Sequence, residues 1–362
     1  MKNIAVCFGG RSVEHDISIL TGLHAGNHIE NARVHYVYLN RENKMFTGDR
    51  LADIDHYLSS SKPARRCWFA DGCLCWGMRR RVKIDAVLNC CHSGVGENGE
   101  LAAFLRVVGV PVTSCDYVAA ANMQSKSRTR EILTAAGFEQ PRYRTYEKSP
   151  FETKGWQALP DGVFALDFPV IVKPDTLGSS IGISIARNEA ELLAALELVF
   201  QMDTRAIVEE FFEGVTEINC AAMRVMNETK ISACEEVDRK REFLDYEGKY
   251  LDPSSGFIKK GKEAEEKKDY SKIKELTARA YELFSASGVV RADFLIHGER
   301  VILNEINTVP GFLSYHLWQR AGMPFALVID LLIKQAIADY EDKKSLKTVF
   351  RSDILTKNRG LV

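Results

Sequence analysis

Near the C-terminal end of this 362-residue chain, two carboxylates and a carboxamide stand close together: Asp293, then Glu305 and Asn307 around one isoleucine. The surrounding residues 289–311 read VVRADFLIHGERVILNEINTVPG, two apolar runs joined by His297, Gly298 and Glu299. That is the pattern of a β-hairpin. Side chains alternate faces along a strand, so Glu305 and Asn307 share one face while Ile306 points to the core. Asp293 on the partner strand can share that face, and Arg291, two residues away, joins it. Two carboxylates and an amide oxygen make an all-oxygen set suited to magnesium bridging phosphates. Pro310-Gly311 then turns the chain tightly and leaves a backbone N–H open to a ligand. Taken alone, the set fits a surface hairpin with ordinary acids equally well.

Phosphate chemistry is written elsewhere in the chain. Lys173 ends the apolar run FPVIVKP and is followed by Asp175-Thr176-Leu177-Gly178-Ser179-Ser180-Ile181-Gly182. Glycines and hydroxyls there supply N–H and O–H groups to cover phosphates, with Lys173 as their counter-charge. The lysine precedes the glycines and GISIA continues as strand, so this is not a Walker A loop; a plain hairpin turn is the competing reading. Lys126 and Arg130, four residues apart, share one face of a helix over residues 122–137. A basic face turned to water explains them as well. Glu209-Glu210-Phe211-Phe212 at a strand end offers apolar walls with a polar reader, an adenine slot or an inter-domain strand end. Residues 238–269 are polar and turn-rich, and Lys249-Tyr250 within them are candidates for a lid.

The N-terminal third must position the rest. NIAVCF is a buried strand, Gly9-Gly10 a turn, and a helix runs from about 16 to 28, with Glu14 at its start. A strand, a glycine turn and a helix bring backbone N–H groups to one point. Glu14 there serves either a ligand or simply the helix dipole. VHYVYLN, DAVLNCC and VPVTS supply further strands, and residues 68–83 form an arginine-decorated hairpin. This βαβ alternation predicts an open, mainly parallel sheet for residues 1–120. Gly94, Gly96 and Gly99 satisfy the dinucleotide fingerprint G-x-G-x-x-G, but in the third strand–helix unit instead of the first.

Composition bounds the whole. Apolar content of 46% and charged content of 27% are those of a globular protein large enough for two or three domains. A net charge of −1 argues against a general nucleic-acid binder. No stretch reaches the roughly 20 apolar residues of a membrane span. The start reads as a strand and not as a signal peptide, so the nine cysteines are expected as reduced, mostly buried thiols of a cytoplasmic protein.

FGGRSVEHDIS, HSGVGENG, the Lys126 helix, VIVKPDTLGSSIG, VEEFFEG, DYEGKY, VRADF and NEINTVPG, in that order, resemble the D-alanine–D-alanine ligases of the ATP-grasp superfamily. HSGVGENG matches that family's own HG-x-x-GE-x-G pattern, which displaces the dinucleotide reading. The resemblance implies an α/β, three-domain ATP-grasp fold: an N-terminal open-sheet domain over 1–121, a central domain over 122–212, a C-terminal domain over 213–350 and a tail. ATP would lie between two antiparallel sheets. It also implies roles. Glu14 would hold the first D-alanine's ammonium, with His92 and Glu97 nearby. Lys126 and Lys173 would contact the α- and β-phosphates under Gly178, Ser179 and Ser180. Glu209 would read the adenine amino group, Glu210 and Phe212 would present backbone groups, and Glu217 would take the ribose. Lys249 would reach the γ-phosphate while Tyr250 closes the lid on Ser179 and Glu14. Asp293, Glu305 and Asn307 would bind two magnesium (or manganese) ions, and Arg291 with the Gly311 N–H would stabilise an oxyanion. The product would be a D-alanyl dipeptide for peptidoglycan synthesis, made through a D-alanyl phosphate, by a homodimer.

Three positions depart from the pattern. His316 stands where such ligases carry a serine for the second substrate's carboxylate, which opens D-serine or another acceptor beside D-alanine. Leu177 replaces an acid before Gly-Ser-Ser, and Ser93 replaces the glycine of HG-x-x-GE. A reading from another class is an ATP-binding regulatory protein on the same fold.

Overall fold

The computed structural model describes residues 1–58, 64–149, 151, 166–226, 228–237, 270–357 and 359. The first sheet contains β1 (Lys2–Gly9), β2 (Ala32–Leu39), β3 (Met45–Thr47), β4 (Arg65–Ala70), β5 (Cys73–Trp76), β6 (Arg80–Lys83) and β7 (Ala86–Asn89). Their spatial order is β6-β5-β4-β3-β2-β1-β7. Only the central trio is parallel, β1 lying between β2 and β7. The expected mainly parallel sheet is therefore a mixed one. The connections that lead into β3, β5 and β6 are too short for a crossover, so these strands add antiparallel to one edge. VPVTS, expected as a strand, makes a single bridge, Val87 to Val112. Pro111 has no N–H to extend the ladder. Helix α1 (His15–Asn27) lies so close on β1 that a Cβ on Gly22 would come within 2.6 Å of Phe8.

Helix α2 (Glu100–Val107) precedes α3 (Tyr117–Gln124) and α4 (Lys126–Ala135). The single helix expected over 122–137 is thus broken at Ser125. Its backbone is extended, and its hydroxyl accepts the Arg128 N–H as the cap of α4. The break puts Lys126 on the first turn.

The second sheet has order β10-β9-β11-β8, from β8 (Tyr143–Glu147), β9 (Val170–Pro174), β10 (Ser184–Ala186) and β11 (Arg205–Glu210). β8 falls in residues 140–162, whose prolines and glycines read in the sequence as a loop-rich approach to a domain. Val170, Val172, Ala206 and Val208 pack against Leu192, Leu196 and Val199 of α5 (Glu189–Phe200). Alternation sends Ile171, Lys173, Ile207 and Glu209 to the opposite face.

The third sheet has order β13-β12-β14-β15, from β12 (Thr216–Val225), β13 (Glu228–Glu236), β14 (Val289–His297) and β15 (Arg300–Asn307). One face carries Ile218, Cys220, Ala222, Val290 and Phe294 onto α6 (Ser271–Leu283) and the α3–α4 pair. On the other face Ala221, Met223 and Val289 pack with Trp318 of α7 (Tyr315–Arg320) and Val328 of α8 (Phe325–Ser345). Farther along that second face stand Glu217, Asn219, Arg291 and Asp293. All nine cysteines are free thiols, and all but Cys73 and Cys75 are buried. Among the described residues no single helix is long and apolar enough to cross a membrane.

Candidate active site

Between the second and third sheets lies a cavity of about 440 Å³, lined by Lys126, Arg130, Lys173, Glu210, Glu217 and Glu305 among others. The basic face of α4 is turned inward: Lys126 and Arg130 are 9% and 1% exposed. Arg130 Nε donates to Glu209 Oε1 at 2.5 Å and Lys173 Nζ to Glu209 Oε2 at 2.5 Å. Glu209 thus spends both oxygens on two cations and does not line the cavity, whose wall beside it is Glu210 to Phe212. Burial alone would raise the Glu209 pKa, but Arg130 and Lys173 pull it down to about 2. Lys126 donates to the Leu177 carbonyl at 2.6 Å, and burial lowers its pKa. Its helix start is anchored by Asp175, whose Oδ1 accepts the Ser127 N–H and whose carbonyl accepts the Lys126 N–H.

The hairpin pairs Asp293 with Glu305 and Arg291 with Asn307. Directly paired residues share a face, so all four side chains converge. Arg291 grips Asp293 through two bonds of 2.6 Å, and Asn307 Nδ2 donates to the same carboxylate at 2.9 Å. Burial, helped by Glu305 and Glu217 and opposed by Arg291, pushes Asp293 up to about 6. Among the described residues no three His, Cys, Asp or Glu side chains cluster as a metal site. The donor set here is two carboxylates and one amide, hard oxygens suited to magnesium. Carboxylates crowded until one resists ionising are what a divalent cation would relieve. A ladder irregularity after Asp293 turns both Asn304 and Glu305 to the cavity, and Asn304 Oδ1 accepts from Lys173 at 3.2 Å. Strict alternation hides Asn304, so its place was not legible in the sequence.

Glu14 ties the first sheet to this cleft. Its Oε1 accepts the Ser179 hydroxyl and its Oε2 the Ser93 hydroxyl. Ser93, which departs from the expected glycine, thereby gains a partner. Ser179 and Ser180 both take left-handed backbone, φ 56° and 57°, a strain typical of ligand clamps. Beside Glu14, His92 Nδ1 meets the Val309 carbonyl at 2.7 Å and Nε2 meets Thr21 Oγ1 at 2.6 Å. Burial lowers the pKa of His92, while burial and Glu14 raise that of Glu97 well above the usual range. A histidine and an acid whose charged forms burial disfavours thus flank Glu14, with the Arg291 charge acting on both. Gly96 and Gly99 of HSGVGENG serve close packing: a Cβ would meet the Cys91 carbonyl at 2.0 Å and Tyr117 Cα at 2.5 Å.

At the far end, a Cβ on Gly311 would meet nothing within 4 Å. Phe312, Leu313 and Ser314 follow in left-handed backbone, held where the Phe312 N–H donates to Thr21 Oγ1 at 3.2 Å. His316 on α7 then reaches Glu235 Oε2 with Nε2 at 2.8 Å. Phe212 lies under Arg300, 4.7 Å from ring centroid to guanidinium. Lys249 and Tyr250, the lid candidates, lie outside the described residues. Sequence reasoning saw Arg130 only as a helix-face cation and did not single out Asn304, Asp175 in its anchoring role, or Glu235.

Two family profiles match, "D-ala D-ala ligase N-terminus" over residues 3–115 and "D-ala D-ala ligase C-terminus" over 132–334. The D-alanine–D-alanine ligase of Thermosipho melanesiensis is 30% identical, with 95% of this chain and 96% of that protein covered. That of Bacillus pumilus is 28% identical over 96% and 99%. Among solved structures, the VanG D-Ala:D-Ser ligase of Enterococcus faecalis superposes with TM-score 0.77 at 26% identity, covering 92% of this chain and 99% of that one. The D-alanine–D-alanine ligase of Coxiella burnetii shares the fold at TM-score 0.78 and 24% identity, over 100% of both chains.

Proposed function

The chain belongs to the D-alanine–D-alanine ligase family of ATP-dependent ligases, with the role in peptidoglycan synthesis that the family implies, and from that premise we propose how its residues carry the reaction. The observation that supports the assignment is convergence. Buried cations from α4 and β9, acids and amides from β14 and β15, and Glu14 with Ser179 from two other parts of the fold meet around one cleft.

In this reading Glu14 binds the ammonium of the first D-alanine, with His92 and Glu97 beside it. Lys126 and Lys173 bind the α- and β-phosphates of ATP, and Gly178, Ser179 and Ser180 cover them. Glu209 keeps Lys173 and Arg130 in place, a narrower task than reading the base. Glu210 and Phe212 present backbone groups to the adenine, and Glu217 takes the ribose. Asp293, Glu305 and Asn307 would hold magnesium, which when bound neutralises charge on the transferring phosphoryl group. A carboxylate is a poor electrophile; ATP converts the first D-alanine to an acyl phosphate, and ADP leaves. The amine of a second amino acid then attacks that carbonyl carbon, phosphate departs, and the amide forms. Arg291 and the Gly311 N–H stabilise the oxyanion, worth about 3–4 kcal/mol per donor in comparable sites. For Lys249 and Tyr250, outside the described residues, the family resemblance implies the task of keeping water from the acyl phosphate.

D-alanine is the acceptor on the family evidence. His316 keeps D-serine open as an alternative, and the VanG enzyme named for D-Ala:D-Ser is among the structural neighbours. We infer a cytoplasmic homodimer, joined through the first-sheet domain, from the family resemblance alone. ADP release with ATP, magnesium and a panel of D-amino acids, with product mass as readout, tests the assignment.

A further inference from the structure

The polar groups of the third sheet do not stop at the hairpin. Asp293 pairs with Glu305 on one side and with Asn219 on the other, and Asn219 pairs with Glu235. Cross-strand partners share a face, so Glu235, Asn219, Asp293 and Glu305 form one row across all four strands. One half of that row is the magnesium end already assigned.

The other half has an occupant still to be named. Glu235 is 7% exposed and meets the imidazole of His316, Nε2 at 2.8 Å, and the guanidinium of Arg320, Nη1 at 3.2 Å. Both come from α7, the helix that the Gly311 turn launches. Between Glu235 and Asp293, Asn219 Oδ1 is buried with no hydrogen-bond partner among the described residues. A buried carbonyl oxygen without a donor is costly, and a ligand that brings an N–H or O–H would relieve it. With Nε2 committed to Glu235, His316 Nδ1 has no hydrogen-bond partner among the described residues and is left for a ligand, and the side chain is one-third exposed.

A donor wanted at Asn219, with an imidazole and a guanidinium held one strand away, describes an α-amino acid, amine and carboxylate together. We propose that Asn219 and Glu235 complete the acceptor subsite: Asn219 Oδ1 receives an N–H of the second amino acid, and Glu235 is a positioning residue that holds His316 toward its carboxylate. This rests on the ligase reading and on His316 facing the acceptor. The amine is then aimed from β12 toward β14, where Arg291 awaits the oxyanion.

Initial rates of ADP release separate the constants for ATP, the first D-alanine and the second. Asn219→Ala and Glu235→Gln are each expected to raise the second D-alanine's KM about tenfold or more, while the other two stay within about twofold. Glu235→Asp is expected to recover part of the loss. Unchanged acceptor KM in both variants would overturn the inference, as would equal change in all three constants, the mark of a merely structural role. The ATP-induced rise in Tm shows whether each variant is folded. Wild-type protein that binds ATP yet releases no ADP with any D-amino acid removes the ligase reading itself, a result distinct from the variant outcomes.

Discussion

Glu209 and Glu97 are both buried carboxyls, and their neighbours drive them in opposite directions. Glu209 sits between Arg130 and Lys173 with its pKa near 2 against an ordinary 4.5. Its contribution to stability is complete above the ordinary value and is lost as pH falls from about 4.5 toward 2. Glu209→Gln leaves two buried cations short of a charge, at a cost of roughly 3–5 kcal/mol. Denaturant midpoints at pH 7 should show that loss, and the gap to wild type should close on acidification. Glu97 has the opposite sign. Burial and Glu14 raise its pKa, so the folded state holds the proton more tightly and stability falls as pH climbs past the ordinary value. Glu97→Gln should therefore raise Tm at pH 8 and leave it unchanged near pH 4. The same variant should raise the first D-alanine's KM about tenfold, the worth of one charge-assisted hydrogen bond. Lys173, Glu209 and Lys126 were legible as residue types at strand and helix ends. That Glu209 answers Lys173 and Arg130 was not, because the pairings join residues 36 and 79 apart in the chain.

At the scale of elements, the phosphate loop and the start of α4 are one unit. Asp175 binds the Ser127 N–H and the Ser125 hydroxyl with its two oxygens, and its carbonyl takes the Lys126 N–H. Asp175→Ala removes the side-chain half of that clamp while keeping Lys126 itself. KM for ATP should rise about tenfold, and stability should fall by about 1–2 kcal/mol, the value of a helix cap. Fluorescent-nucleotide binding and thermal unfolding read the two effects separately. An unchanged nucleotide affinity would mean that Lys126 does not depend on the clamp. The hairpin was readable because apolar alternation and a glycine turn specify it locally. The break at Ser125 was not, since 122–137 reads as one continuous helix and the local cap by Ser125 is joined by bonds to Asp175, 50 residues away. Three left-handed residues after Gly311 are likewise invisible in FLS: a long-range bond to Thr21 holds them.

For the whole molecule, the cleft is made by parts that have few other reasons to agree. The second and third sheets wall the cleft, one apolar cluster runs through the first and third, and Glu14 reaches from the first-sheet domain to the loop of the second. A nucleotide that binds only this assembled cleft must stabilise it. Magnesium–ATP at one hundred times its Kd should add about 2.7 kcal/mol, seen as a rise in Tm, and chelation of magnesium should reverse most of it. Eight short motifs in order made the fold class and the reaction legible. The mixed character of the first sheet was not, because residues 45–83 form short antiparallel strands beyond the parallel trio. In the proposed function one cleft joins two D-amino acids, with one ATP consumed for each bond formed. Incubation with magnesium–ATP and D-alanine, with ADP and product mass followed together, tests it most directly. One ADP for each D-alanyl-D-alanine formed, and little ADP without D-alanine, is the predicted result. ATP bound but no ADP released on adding D-alanine, D-serine or any other D-amino acid would contradict it.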